Sequence, residues 1–155
     1  MSDKNTASFS HLDAEGRAQM VDISHKTRVK RTASASCKIH LQAKTLAAIQ
    51  DKLVEKGDVL SVARVAGISA AKRTFDLIPL CHNIAIDQVR VDFSFLPDGI
   101  GITSQAVCTD KTGIEMEALT AVSVAALTIY DMCKAIDKQM RIDDVKLLDK
   151  KKEEI

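Results

Sequence analysis

Residues 111–138 read KTGIEMEALTAVSVAALTIYDMCKAIDK, and the fold follows from how this stretch has to be covered. From Ala118 to Tyr130 it carries no charged residue. Its Ala and Leu favour helix despite several β-branched residues. A helix apolar on nearly every side needs covering on nearly every side. It is short for a bilayer and charged at both ends, so a protein core or a subunit interface is the better home. Glu115 and Glu117 fall in the first turn, where carboxylates meet the positive end of the helix dipole. Asp131 and Lys134 stand three residues apart near the other end, on one face. That face runs back through Leu127, Val124 and Thr120, which read as core. An Asp and a Lys extending an apolar face are either a structural ion pair or acid/base chemistry, and spacing leaves both open.

A length of 155 residues fits one domain, and an apolar fraction of 46% suffices for a core. Lys and Arg total 22 against 21 Asp and Glu, so bulk charge does not point to a nucleic-acid or membrane binder. Any anion site has to be a local cluster. Aromatics at 3%, with no Trp, argue against a base-stacking surface. Cys37, Cys81, Cys108 and Cys133 are scattered without a C-x-x-C pair, so no zinc or iron–sulfur site is expected. Free thiols suit a reducing, cytoplasmic setting. No apolar run follows basic residues at the start, so a secretory signal is not expected, and neither is a transmembrane helix.

Residues 1–18 are polar and aperiodic and read as a mobile tail. Residues 20–24, MVDIS, form a short patch of undefined type. The cluster Lys26, Arg28, Lys30 and Arg31 is either a solvated charge run or a phosphate-binding arm. Residues 32–41 alternate as a strand. Leu46, Ile49, Leu53 and Val54 predict a helix over 43–56, with Gly57 as its C-cap. Asp58 caps a second helix running to about Phe75, from which Arg64, Lys72 and Arg73 project. Lys56 lies in the turn between the two helices.

The loop DLIPLCHN, residues 76–83, is stiffened by Pro79. His82 reads either as a satisfied core histidine or as a site residue. Adjacent residues alternate direction in extended chain, so Cys81 and His82 would rarely meet as a catalytic dyad. Residues 84–96 alternate, with Val89, Val91, Phe93 and Phe95 on the core side, then Pro97-Asp98-Gly99 turns the chain into a second strand over 100–109. Asp110-Lys111-Thr112-Gly113 lacks the glycines of a phosphate loop, and the two glutamates beyond it would repel phosphate. They are better suited to accept N–H groups from a guanine-like edge. Residues 140–148 read as the last strand, and DKKKEEI as solvated charge. The expected domain is 19–149, with a charged tail over 150–155. The order β-α-β-β-α-β, first helix split, predicts an α+β fold with an antiparallel sheet and helices on one face. The uncovered sheet face and the apolar helix point to a homo-oligomer.

Several runs together resemble one family. They are Met20-Val21-Asp22-Ile23-Ser24, Lys56-Gly57-Asp58-Val59, Ala63-Arg64-Val65-Ala66-Gly67-Ile68, the run AKRTFDLIPLCH over 71–82, and KTGIEMEALT through YDMCK over 111–134. They are similar to the molybdenum cofactor biosynthesis protein C family of cyclic pyranopterin monophosphate synthases, over roughly residues 11–149. The resemblance implies a ferredoxin-like fold and a homohexamer built as a trimer of dimers, with active sites at subunit interfaces. It implies a substrate, (8S)-3′,8-cyclo-7,8-dihydroguanosine 5′-triphosphate, supplied by a radical-SAM GTP cyclase, and a lyase reaction releasing diphosphate without metal or organic cofactor. Position by position, Asp131 and Lys134 match the catalytic pair and Lys56 an active-site lysine. Leu80, Cys81 and His82 match one substrate-binding segment. Met116 and Glu117, with Glu115 beside them, match the other. Arg31, Arg64, Lys72 and Arg73 resemble the basic residues near the triphosphate. The acid/base role requires the Asp131 and Lys134 pKa values to move toward neutrality.

Overall fold

A computed structural model describes residues 10–155. Residues 1–9 of the expected tail lie outside the described residues. The elements are β1 (Val29–His40), α1 (Ala43–Gln50), α2 (Val59–Ala71), α3 (Thr74–Leu77), β2 (Ile86–Leu96), β3 (Gly99–Asp110), α4 (Glu115–Cys133) and β4 (Arg141–Glu153). The strands form one antiparallel sheet in the order β2-β3-β1-β4. That is the α+β, ferredoxin-like arrangement, with the helices on one face.

The core sits between that face and α4. Ala33, Ala35, Cys37 and Ile39 of β1 and Ile100, Ile102, Ala106 and Cys108 of β3 point into it. Opposite them α4 buries Ala118, Ala121, Val122, Ala125, Ala126 and Ile129. By length and composition α4 could cross a membrane, yet it is a mostly buried core helix. Alternating strands are legible because successive side chains face opposite sides of a sheet.

Small residues let α2 and α4 approach closely. A Cβ on Gly67 would lie 2.8 Å from the Ala121 carbonyl oxygen and 3.3 Å from both Ala125 Cβ and Val91 Cγ2. The Ala121 carbonyl belongs to the helix backbone and cannot step aside. Gly67→Ala is therefore expected to destabilise: overpacking costs about 1–3 kcal/mol, against at most roughly 1 kcal/mol of helix propensity gained. Urea denaturation checks this, and an unchanged or raised midpoint would refute the close contact.

Four sequence expectations are corrected. The first helix stops at Gln50, because Lys52 adopts a left-handed φ of 56° and the Leu53 amide turns back to the Ala48 carbonyl. Leu53 is thus exposed, while Val54 still packs in the core. Gly57, at φ 103°, serves the turn into α2 rather than capping α1; Asp58 does cap α2, accepting from the Ser61 amide at 3.1 Å. The second helix is divided: α2 ends at Ala71, and α3 is a separate turn. Phe93 packs against the core, but Phe95 is exposed.

The last strand also runs further than its hydrophobic pattern, through Glu153. Lys150, Lys151, Lys152 and Glu153 pair with Ala33, Thr32, Arg31 and Lys30 of β1. Their side chains remain exposed, so backbone pairing and not burial holds this edge, as charged edge strands allow. Asp137, fully buried, fastens the start of α1. It accepts from the Gln42 amide at 2.9 Å and the Thr45 hydroxyl at 3.1 Å. Burial pushes its pKa up, but these bonds and one from Gln139 outweigh that and hold it below the usual carboxylate range.

Candidate active site

A cleft of about 280 Å³ opens at the start of α4. The loop after α3 contributes Leu80, Cys81 and His82, and the first turn of α4 contributes Glu115, Met116 and Glu117. Six predicted site residues from two distant stretches are thus brought together. Thr112 and Gly113 extend this lining, and Val21, Ile23 and Lys26, with Ser10 and His11, complete it from the segment before β1. The Arg31 guanidinium donates to the Asp110 and Lys111 carbonyls, each at 3.2 Å, and so shapes the loop that leads into α4.

Glu117 is only 3% exposed. Burial, with the neighbouring Glu115 charge adding to it, pushes its pKa up to about 7 despite a backbone hydrogen bond that lowers it. It can therefore present a neutral or an ionised carboxyl near neutral pH. Glu115 is half-exposed and pairs with Lys150 at 3.2 Å. Burial, then the Glu117 charge, raises the Cys81 thiol, which keeps it protonated and argues against a nucleophile. His82 Nε2 donates to the Val21 carbonyl at 2.8 Å, so this nitrogen carries a proton.

Beside the cleft, sharing Gly113 and Glu115 with it, a second depression is lined by Arg31, Lys150, Lys151 and Lys152. The lysines read as a solvated tail in the sequence. Only the β1–β4 register reveals that Lys152 stands opposite Arg31.

The other cluster lies at the far end of α4. Lys134 Nζ meets Asp131 Oδ1 at 2.7 Å, and Lys56 Nζ meets Asp131 Oδ2 at 3.4 Å and its carbonyl oxygen at 3.1 Å. The three residues thus form one charged cluster. Their environment differs from expectation. Lys134 is 57% exposed at its side chain, and Leu127 on the same face is 57% exposed. Of the run Leu127, Val124, Thr120, Leu127 is thus exposed while Val124 and Thr120 are half-buried, so this face is only partly covered within the chain. Nor do the pKa values converge. The Lys134 hydrogen bond and charge hold Asp131 low, and Asp131 holds Lys134 high. Mutual contact between opposite charges stabilises both charged forms, and the burial that would oppose it is missing within one chain.

Glu117 and Asp131 stand fourteen positions apart on the helix, about 21 Å at the α-helical rise. The two clusters of one chain cannot act on the same atoms. The remaining cations are elsewhere. Arg64 donates to the Val91 carbonyl at 2.9 Å and lies over the Phe93 ring, 5.4 Å from its centre. Lys72 and Arg73 line a shallow depression with Ser69, Phe75 and Asp76. Among the described residues, no group of three or more His, Cys, Asp or Glu could hold a metal ion.

An α+β domain with a carboxylate-floored cleft at one end of its core helix and a Lys–Asp–Lys cluster at the other has the parts of an enzyme acting on a small molecule. Residues 20–153 match the MoaC family, and the chain belongs to that family. The cyclic pyranopterin monophosphate synthase of Desulfitobacterium hafniense is 56% identical over 143 residues, covering 92% of this chain and 88% of that protein. The synthase of Novosphingobium aromaticivorans is 54% identical over 143 residues, covering 92% and 91%. That of Listeria monocytogenes is 54% identical over 145 residues, covering 92% and 89%.

Proposed function

We propose that this chain is a cyclic pyranopterin monophosphate synthase, a lyase of molybdenum cofactor biosynthesis. It converts (8S)-3′,8-cyclo-7,8-dihydroguanosine 5′-triphosphate, supplied by a radical-SAM GTP cyclase, into cyclic pyranopterin monophosphate and diphosphate. The observation that carries this reading is the meeting of Leu80, Cys81 and His82 with Glu115, Met116 and Glu117 in one cleft. Carboxylates there suit the N–H groups of a guanine-like edge. The extent of the likeness to the named synthases supports the same substrate.

Lys134 is the principal acid/base, and Asp131 positions or deprotonates it. Lys56 is a second acid/base or a charge stabiliser. His82 donates to a substrate oxygen or phosphate from Nδ1 of the doubly protonated ring, since the Val21 carbonyl takes the Nε2 proton. Arg31 holds the triphosphate, helped by Lys150 and Lys152, and stabilises the charge that develops as diphosphate leaves. Arg64, Lys72 and Arg73 serve the same end from an adjoining chain.

The working site takes its cleft from one subunit and its Lys–Asp–Lys cluster from another. The length of α4 between the clusters supports this, as does the apolar face of Val62, Val65, Leu127 and Tyr130, which is exposed in a single chain. Covering that face would bury Asp131 and Lys134 and shift Lys134 toward a pKa useful at neutral pH. The assembly is a cytoplasmic homohexamer, a trimer of dimers, and the step uses no metal or organic cofactor.

A coupled assay tests the function. The cyclised GTP is made by the partner cyclase, this protein is added, and both diphosphate and the oxidised, fluorescent pterin are followed. Release of both products together is expected. A folded, assembled protein that releases neither refutes the synthase reading in favour of a ligand-binding domain.

A further inference from the structure

One wall of the cleft does not belong to the α+β body. Residues 10–28 enter no helix and none of the four strands, and apart from an isolated pairing of Leu12 with Ala18 they are turns and extended chain. Among the described residues, the backbone hydrogen bonds of this segment stay inside it: Asp13 with Arg17, Gly16 with Asp13, Gln19 with His11, Lys26 with Ile23. Two side-chain bonds tie it to the body. His82 Nε2 donates to the Val21 carbonyl at 2.8 Å, and Lys111 Nζ donates to the Ser24 carbonyl at 3.0 Å. Both donors stand on the loops that frame the cleft. Val21 and Ile23 are the apolar residues of the segment that are half-buried, and both line the cleft, together with Lys26.

A cleft wall that shares no backbone ladder with its neighbours opens at far lower free energy than the sheet beside it. It can therefore move without disturbing the core. We propose that residues 20–26 are a lid, which opens to admit the ligand and closes over it, latched by His82 and Lys111. The proposal deepens the synthase reading and rests on it. Val21 and Ile23 form the lid's apolar underside and exclude water from the closed cleft. Lys26 brings positive charge to a site whose floor is acidic, which a phosphorylated ligand needs. The closed lid also engages the Nε2 proton of His82, so closure sets the orientation of the ring and leaves Nδ1 for the ligand.

Amide hydrogen exchange on the assembled Lys134→Ala protein, which is expected to bind with turnover slowed about 10²–10⁴-fold, tests this within the time before substrate is consumed. The probe is the cyclised GTP substrate, with occupancy measured in the same samples by equilibrium dialysis. In the free protein, residues 20–26 should exchange about a hundredfold faster than β1, and saturation should slow them about tenfold or more. Lys111→Met, which removes one latch, should speed their exchange in the free protein by about tenfold. Exchange in the free protein as slow as that of β1 makes the segment a fixed wall and overturns the lid. So does saturation that leaves residues 20–26 unchanged, and in both cases the synthase reading stands. Failure of the folded protein to bind overturns that reading, and the lid falls with it.

Discussion

Lys134→Ala is expected to lower turnover about 10²–10⁴-fold, the usual loss for a missing acid/base group, while the protein melts with the wild type. The two halves of this expectation have separate grounds. Lys134 is bonded to Asp131 at 2.7 Å and reaches solvent within the chain, and where assembly covers the pair Lys56 still meets Asp131 once Lys134 is gone, so its loss should cost little of the fold. Loss of activity without loss of stability would then assign it to chemistry. A variant that melts early would return it to the role of a structural ion pair. Lys134→Arg should not rescue, because a guanidinium keeps the charge but does not give up its proton. The pH profile adds a sign. Asp131 holds the Lys134 pKa up, so Asp131→Asn should move the Lys134 limb of the kcat profile toward lower pH. A limb that stays in place, or moves up, would show that the pair is not coupled in the working enzyme.

Glu117→Gln should stabilise the protein at pH 8 while weakening substrate binding. The Glu117 pKa rises from 4.5 to about 7 on folding. Protonated Glu117 therefore contributes stability that is fully present below pH 4.5 and is lost as pH rises through about 7, because the unfolded chain gives up this proton first. The difference between the two pKa values corresponds to about 3 kcal/mol. Urea denaturation at pH 4 and pH 8 reads it directly: little change at pH 4, and a gain approaching that size at pH 8. The same substitution replaces an acceptor with an amide that presents N–H groups to a ligand's N–H groups, so KM should rise. A variant no more stable at pH 8 would mean that Glu117 is solvated in the assembled protein. A variant with unchanged KM would take the carboxyl out of substrate recognition.

The architecture was legible where burial leaves a period in the sequence. Alternation marked β1 and β2, the Pro97-Asp98-Gly99 turn led into β3, the Asp58 cap marked the start of α2, and the uncharged run from Ala118 to Tyr130 marked α4. It was illegible where backbone geometry acts without a hydrophobic signal. Lys52 ends α1 by taking a left-handed turn that its residue type does not announce. Residues 150–153 are a charged strand because β1 offers an edge, and nothing in KKKE records that edge. Leu127 shows a different limit. An apolar face looks the same in sequence whether its own core or a second chain covers it. The residues themselves offered Glu115 and Glu117 as acceptors for N–H groups and left His82 open as a site residue, but their assignment to one substrate site came from resemblance, and no spacing rule would have joined His82 to Glu117. Arg64 illustrates the converse: its place in a familiar run gave no sign that its Nε donates to the Val91 carbonyl or that it lies over the Phe93 ring.

Subunit complementation tests most directly whether cleft and catalytic cluster come from different chains. Lys134→Ala and His82→Ala chains, each inactive alone, would be mixed in denaturant, refolded together and assayed with the cyclised GTP. If each site draws its cleft and its lysine cluster from different chains, random assembly leaves about one site in four with both halves intact, and activity should return to about a quarter of wild type. An inactive mixture, with mixed assemblies demonstrated by mass spectrometry, would contradict the shared site.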